Sequence, residues 1–395
     1  MRIVQIAPYY APAYPFGGVV AALEGLATAL AERGHEITIL TTDALDFERR
    51  NPVLEESLKG VKVIRVRNLS HPLRAKLNLS SPIGFGKALK RLYANFQPQV
   101  IHTHELRTVE NLFLGNTPCP VILSPHGTLT YEAGRVGFKR AWDRLLGPRL
   151  ARRFAHMVAL TEAEASESRD LWARWGIPFP GVDIIPNGVS SAFPDQIRQI
   201  KSKTDMRTRL GLGDGVIVLF VGRLHERKGL GLLIPAFARA TQNFPDARLM
   251  IVGPDAGFRP AAEALASAEG VESKVIFTGM LTGDDRLAAL AAGDVFALPA
   301  VGEGLSMAAL EAMAAHLPLI VTPGCNLPQI ENRGAGLLVE RAITPLAHAL
   351  ERLIADSAQR ETMGANALAW MRQQFTWESV AALVEKLYQA VCISS

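Results

Sequence analysis

Val216-Ile217-Val218-Leu219-Phe220-Val221-Gly222-Arg223-Leu224-His225-Glu226-Arg227-Lys228-Gly229 runs from an unbroken apolar segment into a charged turn. A strand with one wet face alternates apolar and polar residues. This one does not, which suits a parallel strand covered on both faces by helices. Helical spacing follows from Gly229 to Asn243, and Ala247 to Gly253 is the next apolar run. Strand, helix, strand in that order is a βαβ unit. The same grammar opens the chain. Arg2 to Ala7 is an apolar run, Pro8 to Gly18 a loop, and Val19 to Arg33 is helical on Val20, Leu23, Leu26, Ala27 and Leu30. Gly34 suits the left-handed end of that helix. Glu36 to Thr42 is the following strand, and further strands are expected at 100–103, 121–124, 157–160, 275–278, 295–298 and 319–322. The expectation is an α/β protein of two Rossmann-like doubly wound units side by side. The seam is placed at Ile185-Pro186-Asn187-Gly188 and the polar stretch up to Gly215.

Composition narrows the classes. Of 395 residues, 48% are hydrophobic and 20% charged, ample for a core and unlike a disordered or fibrous chain. The net charge of +4 is too small to argue for nucleic acid. It is unevenly divided: 23 basic and 17 acidic residues lie in 1–187, against 19 and 21 in 188–395. Cys119, Cys325 and Cys392 form no CxxC pair, so neither a disulfide framework nor a structural zinc site is expected. The apolar stretch Ala288 to Val301 is broken by Gly293 and Asp294, and none reaches the ~20 residues of a membrane span. The opening residues read as a strand rather than a signal peptide. A cytoplasmic protein, soluble or peripheral on the inner face of the cell membrane, is expected.

The chemistry sits at strand ends. Arg223 follows the carboxyl end of a parallel strand, where open α/β sheets bind ligands. Lys228 precedes the next helix, and two cations beside a helix amino terminus suit a diphosphate. Gly302-Glu303-Gly304-Leu305-Ser306 follows another strand end at Leu298. Its glycines permit close backbone approach, and Ser306 is placed to cap the next helix. Glu303 lies on that loop and Glu311 further into the helix, two carboxylates suited to vicinal hydroxyls of ribose or sugar. In the first half, Gly17-Gly18 opens a helix without forming GxGxxG, so a dinucleotide fingerprint is absent. A tight turn or a single-phosphate cradle both fit it. Ser124-Pro125-His126-Gly127-Thr128 puts His126 after another strand. His102 and His104 alternate on a strand but lack a third metal ligand.

Together these pieces resemble the retaining nucleotide-sugar glycosyltransferases of family 4, which have the GT-B fold. The resemblance spans nearly the whole chain. It takes in Gly17-Gly18, Gly34-His35-Glu36, His126-Gly127-Thr128, Ile185-Pro186-Asn187-Gly188-Val189, Val221-Gly222-Arg223 with Lys228-Gly229, and the Glu-x7-Glu spacing of Glu303 and Glu311. Ala335-Gly336-Leu337-Leu338-Val339 and Phe375-Thr376-Trp377 complete it. It implies an acceptor-side domain over 1–187, a donor-binding domain over 188–375, and a last helix, about 376–395, packed back on the first. It implies that Arg223 and Lys228 hold the donor diphosphate, that Glu311 binds ribose, and that Glu303 and His126 meet the donor sugar. Gly17, Gly18, Gly222, Gly304, Leu305 and Ser306 are the remaining donor-binding positions. No cofactor and no metal are expected; a nucleotide-diphosphate sugar is co-substrate. Two departures stand out: His316 where the family usually has a glycine, and Gln329 for a common glutamate.

The implied activity is retaining transfer of a hexosyl group to a glycan or lipid-linked acceptor in cell-surface polysaccharide synthesis. Thr322-Pro323-Gly324-Cys325-Asn326 resembles members that favour GDP-mannose over a UDP-hexose. The alternatives are an epimerase or sugar-phosphate synthase on the same fold, or a non-catalytic two-lobe sugar-binding protein. Residues 135–153 carry Arg135, Lys139, Arg140, Arg144, Arg149, Arg152 and Arg153 against Asp143 alone, with Phe138, Trp142, Leu145 and Leu146 at roughly helical spacing. An anionic bilayer partner and an internally packed amphipathic helix both fit.

Overall fold

The computed structural model describes all residues except 70–78, 132–135, 201 and 394–395, and the side chains of 202–205. The chain divides into two compact units, residues 1–188 with 377–395, and residues 189–376.

Unit 1 holds an eight-stranded sheet: β1 (Arg2–Ile6), β2 (Glu36–Thr42), β3 (Glu55–Leu58), β4 (Val61–Val66), β5 (Val100–His104), β6 (Val121–Ser124), β7 (His156–Ala159) and β8 (Val182–Ile184). The order is β3-β4-β2-β1-β5-β6-β7-β8. Among these strands only the β3–β4 pair is antiparallel. The inner strands β5 and β6 are buried at every residue: β6 through its apolar run, and β5 with His102, Thr103 and His104 hydrogen-bonded inside unit 1. On one face the core joins Phe85, Leu89 and Leu92 to Trp142, Leu150, Phe154 and Trp172. The last helix, Trp377–Ile393, packs on helix Gly18–Glu32. A Cβ at Gly25 would lie 2.2 Å from the Trp377 ring, so this close approach depends on a glycine.

Unit 2 holds a six-stranded parallel sheet: β9 (Ile217–Val221), β10 (Arg248–Val252), β11 (Val275–Gly279), β12 (Val295–Leu298), β13 (Leu319–Val321) and β14 (Gly336–Leu338). Its order is β11-β10-β9-β12-β13-β14. The direction of winding reverses between β9 and β12, and ligands bind such sheets outside the carboxyl ends at that switch point. In unit 1 the corresponding reversal lies between β1 and β5. Among the described residues, no helix is long and apolar enough to cross a membrane.

Candidate active site

At the switch point of unit 2, β9 leads into the short helical turn Glu226–Lys228. The His225 side chain accepts a hydrogen bond from Arg227 N at 3.2 Å, which caps the turn. Burial and the neighbouring Arg223 hold the imidazole below its usual range, consistent with a neutral acceptor. Gly229 ends the turn at φ +80, and a Cβ there would sit 2.2 Å from Pro299 O. This glycine therefore permits the loop after β12 to lie against the turn after β9. Arg227 fixes the contact: its guanidinium donates to Gly302 O at 2.5 Å, and its carbonyl accepts from Val301 N at 2.9 Å.

The cation positions read from sequence end up differently. Lys228 Nζ donates to Glu303 Oε2 at 2.8 Å, both side chains half-buried. Arg223 is exposed and has no hydrogen bond or ion pair among the described residues. The Glu303 loop is held from behind: Asn326 Nδ2 donates to Glu303 O at 2.6 Å and Gly304 O at 3.0 Å, and Glu303 N donates to Gly324 O at 3.0 Å. Asn326 does this from the left-handed region at φ +56, which asparagine tolerates better than most. Ser306 caps helix Met307–Ala314 by accepting from Ala309 N. The side chains of Leu305 and Ser306 are buried, and Gly222 lies half-buried at the end of β9.

Glu311 is not a solvated helix residue. It is 4% exposed, and the Arg286 guanidinium of helix Gly283–Ala292 donates to its Oε2. Burial pushes its carboxyl up while Arg286 pulls it down. The two carboxylates thus belong to two separate ion pairs. Arg227 and Asn326 stand in stretches read from the sequence but were given no role of their own, and Arg286 was not singled out. Each partner is far along the chain, and only Asn326, just after Pro323-Gly324, offered a turn signal.

In unit 1, Gly17 at φ +117 precedes helix Gly18–Glu32. No side chain caps that end, so its first amides are not used by a cap. Phe16 beside it stacks on Tyr9 with ring centroids 3.7 Å apart. Gly17 is half-buried and Gly18 exposed.

His126 lies after β6 in a left-handed conformation, φ +56, followed by Gly127 at φ +72. Its Nε2 pairs with His104 Nδ1 at 2.8 Å, and the rings stack at 5.1 Å. Its Nδ1 is buried and has no partner among the described residues. The neighbouring His102 bridges Tyr388 OH and Ser124 Oγ, each at 2.7 Å. Burial pulls the imidazoles of His102 and His126 down to about 3 and about 4, and that of His104 well below its usual range. This stack is neutral at pH 7. Among the described residues, no cluster of three or more His, Cys, Asp or Glu could hold a metal ion.

The loop after His126 is anchored by groups that sequence reading missed. Glu164 accepts from Gly127 N and, at 2.7 Å, from Leu160 N. Burial pushes its carboxyl up to about 7. Arg107 donates to Thr128 O at 2.6 Å and Leu129 O at 3.1 Å, while gripping Asp143 with two hydrogen bonds at 2.9 and 2.7 Å.

That grip bears on the two readings of the basic segment. Asp143 and Trp142 face inward, Trp142 as part of the unit 1 core with Phe138 packed against it. The aromatic pair is thus not an outward apolar face. Leu145, 75% exposed, is the outward one. Arg140, Arg144, Arg149 and Arg152 are exposed with no ion pair among the described residues. Arg153 is half-buried, Lys139 donates to Thr130 O at 2.6 Å, and Arg135 lies outside the described residues.

Residues 16–193 match the model described as Glycosyltransferase Family 4, and residues 215–356 the one described as Glycosyl transferases group 1. A GDP-mannose-dependent monoacylated alpha-(1-6)-phosphatidylinositol monomannoside mannosyltransferase of Corynebacterium glutamicum is 30% identical over 301 residues, covering 72% of this chain and 77% of that protein. The chain belongs to glycosyltransferase family 4. It is a nucleotide-sugar-dependent glycosyltransferase with the GT-B fold. An uncharacterized glycosyltransferase of Methanocaldococcus jannaschii is 28% identical over 401 residues, 98% of each chain. The fold is shared with sucrose-phosphate synthase of Thermosynechococcus elongatus, at TM-score 0.79 and 23% identity over the whole of both chains.

Proposed function

We propose that this family 4 glycosyltransferase transfers a hexosyl group, with retention and without a metal ion, from a nucleotide-diphosphate hexose to a lipid-linked or glycan acceptor. The observation that carries it is the pair of cations, Arg223 and Lys228, beyond β9 at the winding reversal of unit 2, with the Glu303 loop laid against them by Arg227. On this reading Arg223 and Lys228 take the diphosphate. Lys228 must then share or exchange its Glu303 partner, which places that carboxylate beside the sugar end of the donor. Glu311, steadied by Arg286, accepts from the ribose hydroxyls. The backbone at Gly222, Gly304, Leu305 and Ser306 lies along the donor. The amide of Gly18, at a helix end that no side chain caps, is assigned to a phosphate, with Gly17 as the turn before it, and neutral His126 is assigned to the sugar.

The chemistry follows from the charges. As the sugar carbon–oxygen bond to the diphosphate breaks, negative charge grows on the phosphate oxygens, and two cations stabilise it. The acceptor hydroxyl attacks from the same face, and its proton passes to a leaving phosphate oxygen. Glu303, paired with a lysine on a loop, acts as an electrostatic partner rather than a covalent nucleophile.

GDP-mannose is favoured over a UDP-hexose because the Corynebacterium relative carries GDP-mannose dependence in its name. Product release measured across a panel of nucleotide sugars tests this; fastest turnover with a UDP-hexose reverses the donor preference. Donor consumption without transfer to any acceptor would favour a different reaction class. Saturating EDTA is expected to leave transfer intact, and loss of transfer restored by Mg²⁺ or Mn²⁺ overturns metal independence.

The exposed arginines 140, 144, 149 and 152 around Leu145 further suit an anionic membrane surface where a lipid-linked acceptor resides. This peripheral location on the inner face of the cell membrane, and a role in cell-surface polysaccharide synthesis, belong to the same proposal.

A further inference from the structure

Thr161-Glu162-Ala163-Glu164 opens helix Glu162–Trp175 with the pattern of a capping box. In that motif the threonine oxygen takes the amide three residues on, and the glutamate reaches back to the amide of the cap. Half of it forms here: Thr161 Oγ1 accepts from Glu164 N at 3.3 Å. The carboxylate goes elsewhere. Its Oε2 accepts from Leu160 N at 2.7 Å, before the cap, and its Oε1 from Gly127 N on a separate loop. Glu164 is 2% exposed, and a buried carboxylate is tolerated only where hydrogen bonds compensate it.

We propose that Glu164 is a positioning residue for His126, holding the left-handed turn from which the imidazole projects. The inference rests on the reading that His126 meets the donor sugar. A left-handed histidine is disfavoured by its own Cβ and persists where the surroundings over-determine it. Here three groups do so. Glu164 binds the amide just after His126, Arg107 binds the carbonyls of Thr128 and Leu129, and His104 binds the ring. Of these, Glu164 acts nearest the strained peptide. A helix cap alone would not need a buried acid, since Thr161 already supplies one.

The test is a double-mutant cycle on the full chain, read as kcat and donor KM for transfer. Glu164→Gln keeps the shape but turns an NH2 towards one of the two amides. It is expected to lower kcat about ten- to a hundredfold, the scale on which a displaced catalytic contact acts. Combined with His126→Ala it is expected to cost nothing beyond His126→Ala alone, because its effect passes through that ring. Glu164→Gln at the wild-type rate overturns the proposal. So does a double loss equal to the product of the single losses, which marks general support of unit 1. A wild-type rate for His126→Ala removes the underlying reading of His126 instead, and this inference with it. Should Glu164→Gln fail to fold, Glu164→Asp, with the charge kept but drawn back, enters the same cycle. Amide exchange at Gly127 gives an independent check. It should quicken in the Glu164 variant while β6 stays protected; unchanged exchange at Gly127 defeats the proposal.

Discussion

The switch points of the two sheets are built from opposite materials. In unit 2 it is charged: Lys228 pairs with Glu303, nearby Glu311 with Arg286, and Arg223 stands free among the described residues. In unit 1 the groups are imidazoles: His102 and His104 are buried and His126 half-buried, all three neutral and hydrogen-bonded to one another or to hydroxyls. The difference matches the two tasks proposed for these sites. A diphosphate leaving group calls for cations whose positions are fixed before the charge develops. A neutral sugar ring calls for polar groups that orient it without drawing water or counter-ions.

The comparison breaks first at Lys228. Lys228→Ala is expected to lower kcat about 10²- to 10³-fold, the range for loss of a preorganised charge contact. Melting should change little, because the side chain pairs only with half-buried Glu303. Arg223→Ala should cost less, since no neighbour holds that side chain in place. A larger loss for His126→Ala than for Lys228→Ala would reverse the assignment of the two sites.

Glu311 sharpens the same comparison at smaller size. If it binds ribose, it binds ground state and transition state alike. Glu311→Gln should then raise donor KM about tenfold and leave kcat within a few-fold. A fall in kcat at constant KM would move Glu311 to the reacting centre.

Much of this frame can be read in the sequence, for a physical reason. The inner strands are mostly apolar, so β1, β2, β5, β6, β7 and β9 to β13 announce themselves despite Gln5 in β1 and the polar half of β5, and the residues after their carboxyl ends follow. The β3–β4 hairpin is missed: Glu55-Glu56-Ser57-Leu58 is a short edge strand, and β4 alternates only through Val61, Lys62 and Val63. His316 takes φ +64, the left-handed turn that its usual glycine would make. The supporting groups are illegible because their partners are distant. Arg107 reaches Asp143, Arg286 reaches Glu311 and Glu164 reaches Gly127 across 36, 25 and 37 residues. The inward turn of Trp142 was hidden likewise. Helical spacing shows that a face exists, not which neighbour covers it.

Acidification gives the neutral site its own signature. His102 and His126 are held below the ordinary value of 6.5, so their contribution to stability is complete above 6.5 and fades as pH falls towards 4 and 3. Glu164 and Glu110 oppose this. Their carboxyls are raised from 4.5 to about 7 and about 6, so protonation favours the folded state as pH drops through that window. The melting temperature should therefore fall gently from pH 6.5 to 4.5, then steeply below, where both carboxyls are protonated folded or unfolded. His102→Asn should start lower and decline less. An equal slope in the variant would detach the histidine stack from acid sensitivity.

The smallest effect is expected at the surface of unit 1, and it separates catalysis from location. Arg144, Arg149 and Arg152 are exposed, and the acid of their segment, Asp143, is turned inward to Arg107. Nothing nearby in sequence therefore offsets their charge. Each basic group close to an anionic bilayer contributes about 1 kcal/mol, fading within a Debye length of roughly 8 Å at physiological salt. Three together can hold a folded protein at the surface and release it as salt rises. Leu145 adds only one side chain of apolar burial, because Trp142 is committed to the core. Binding should thus be mostly electrostatic, and high salt should remove most of it. Changing the three arginines together to glutamate should abolish sedimentation with anionic liposomes and slow transfer to a lipid acceptor. Transfer to a short soluble acceptor should stay within twofold, since Lys228, Glu303 and Glu311 belong to the other unit. Equal sedimentation of the triple variant and the wild type would end the membrane reading and leave the donor site as it stands.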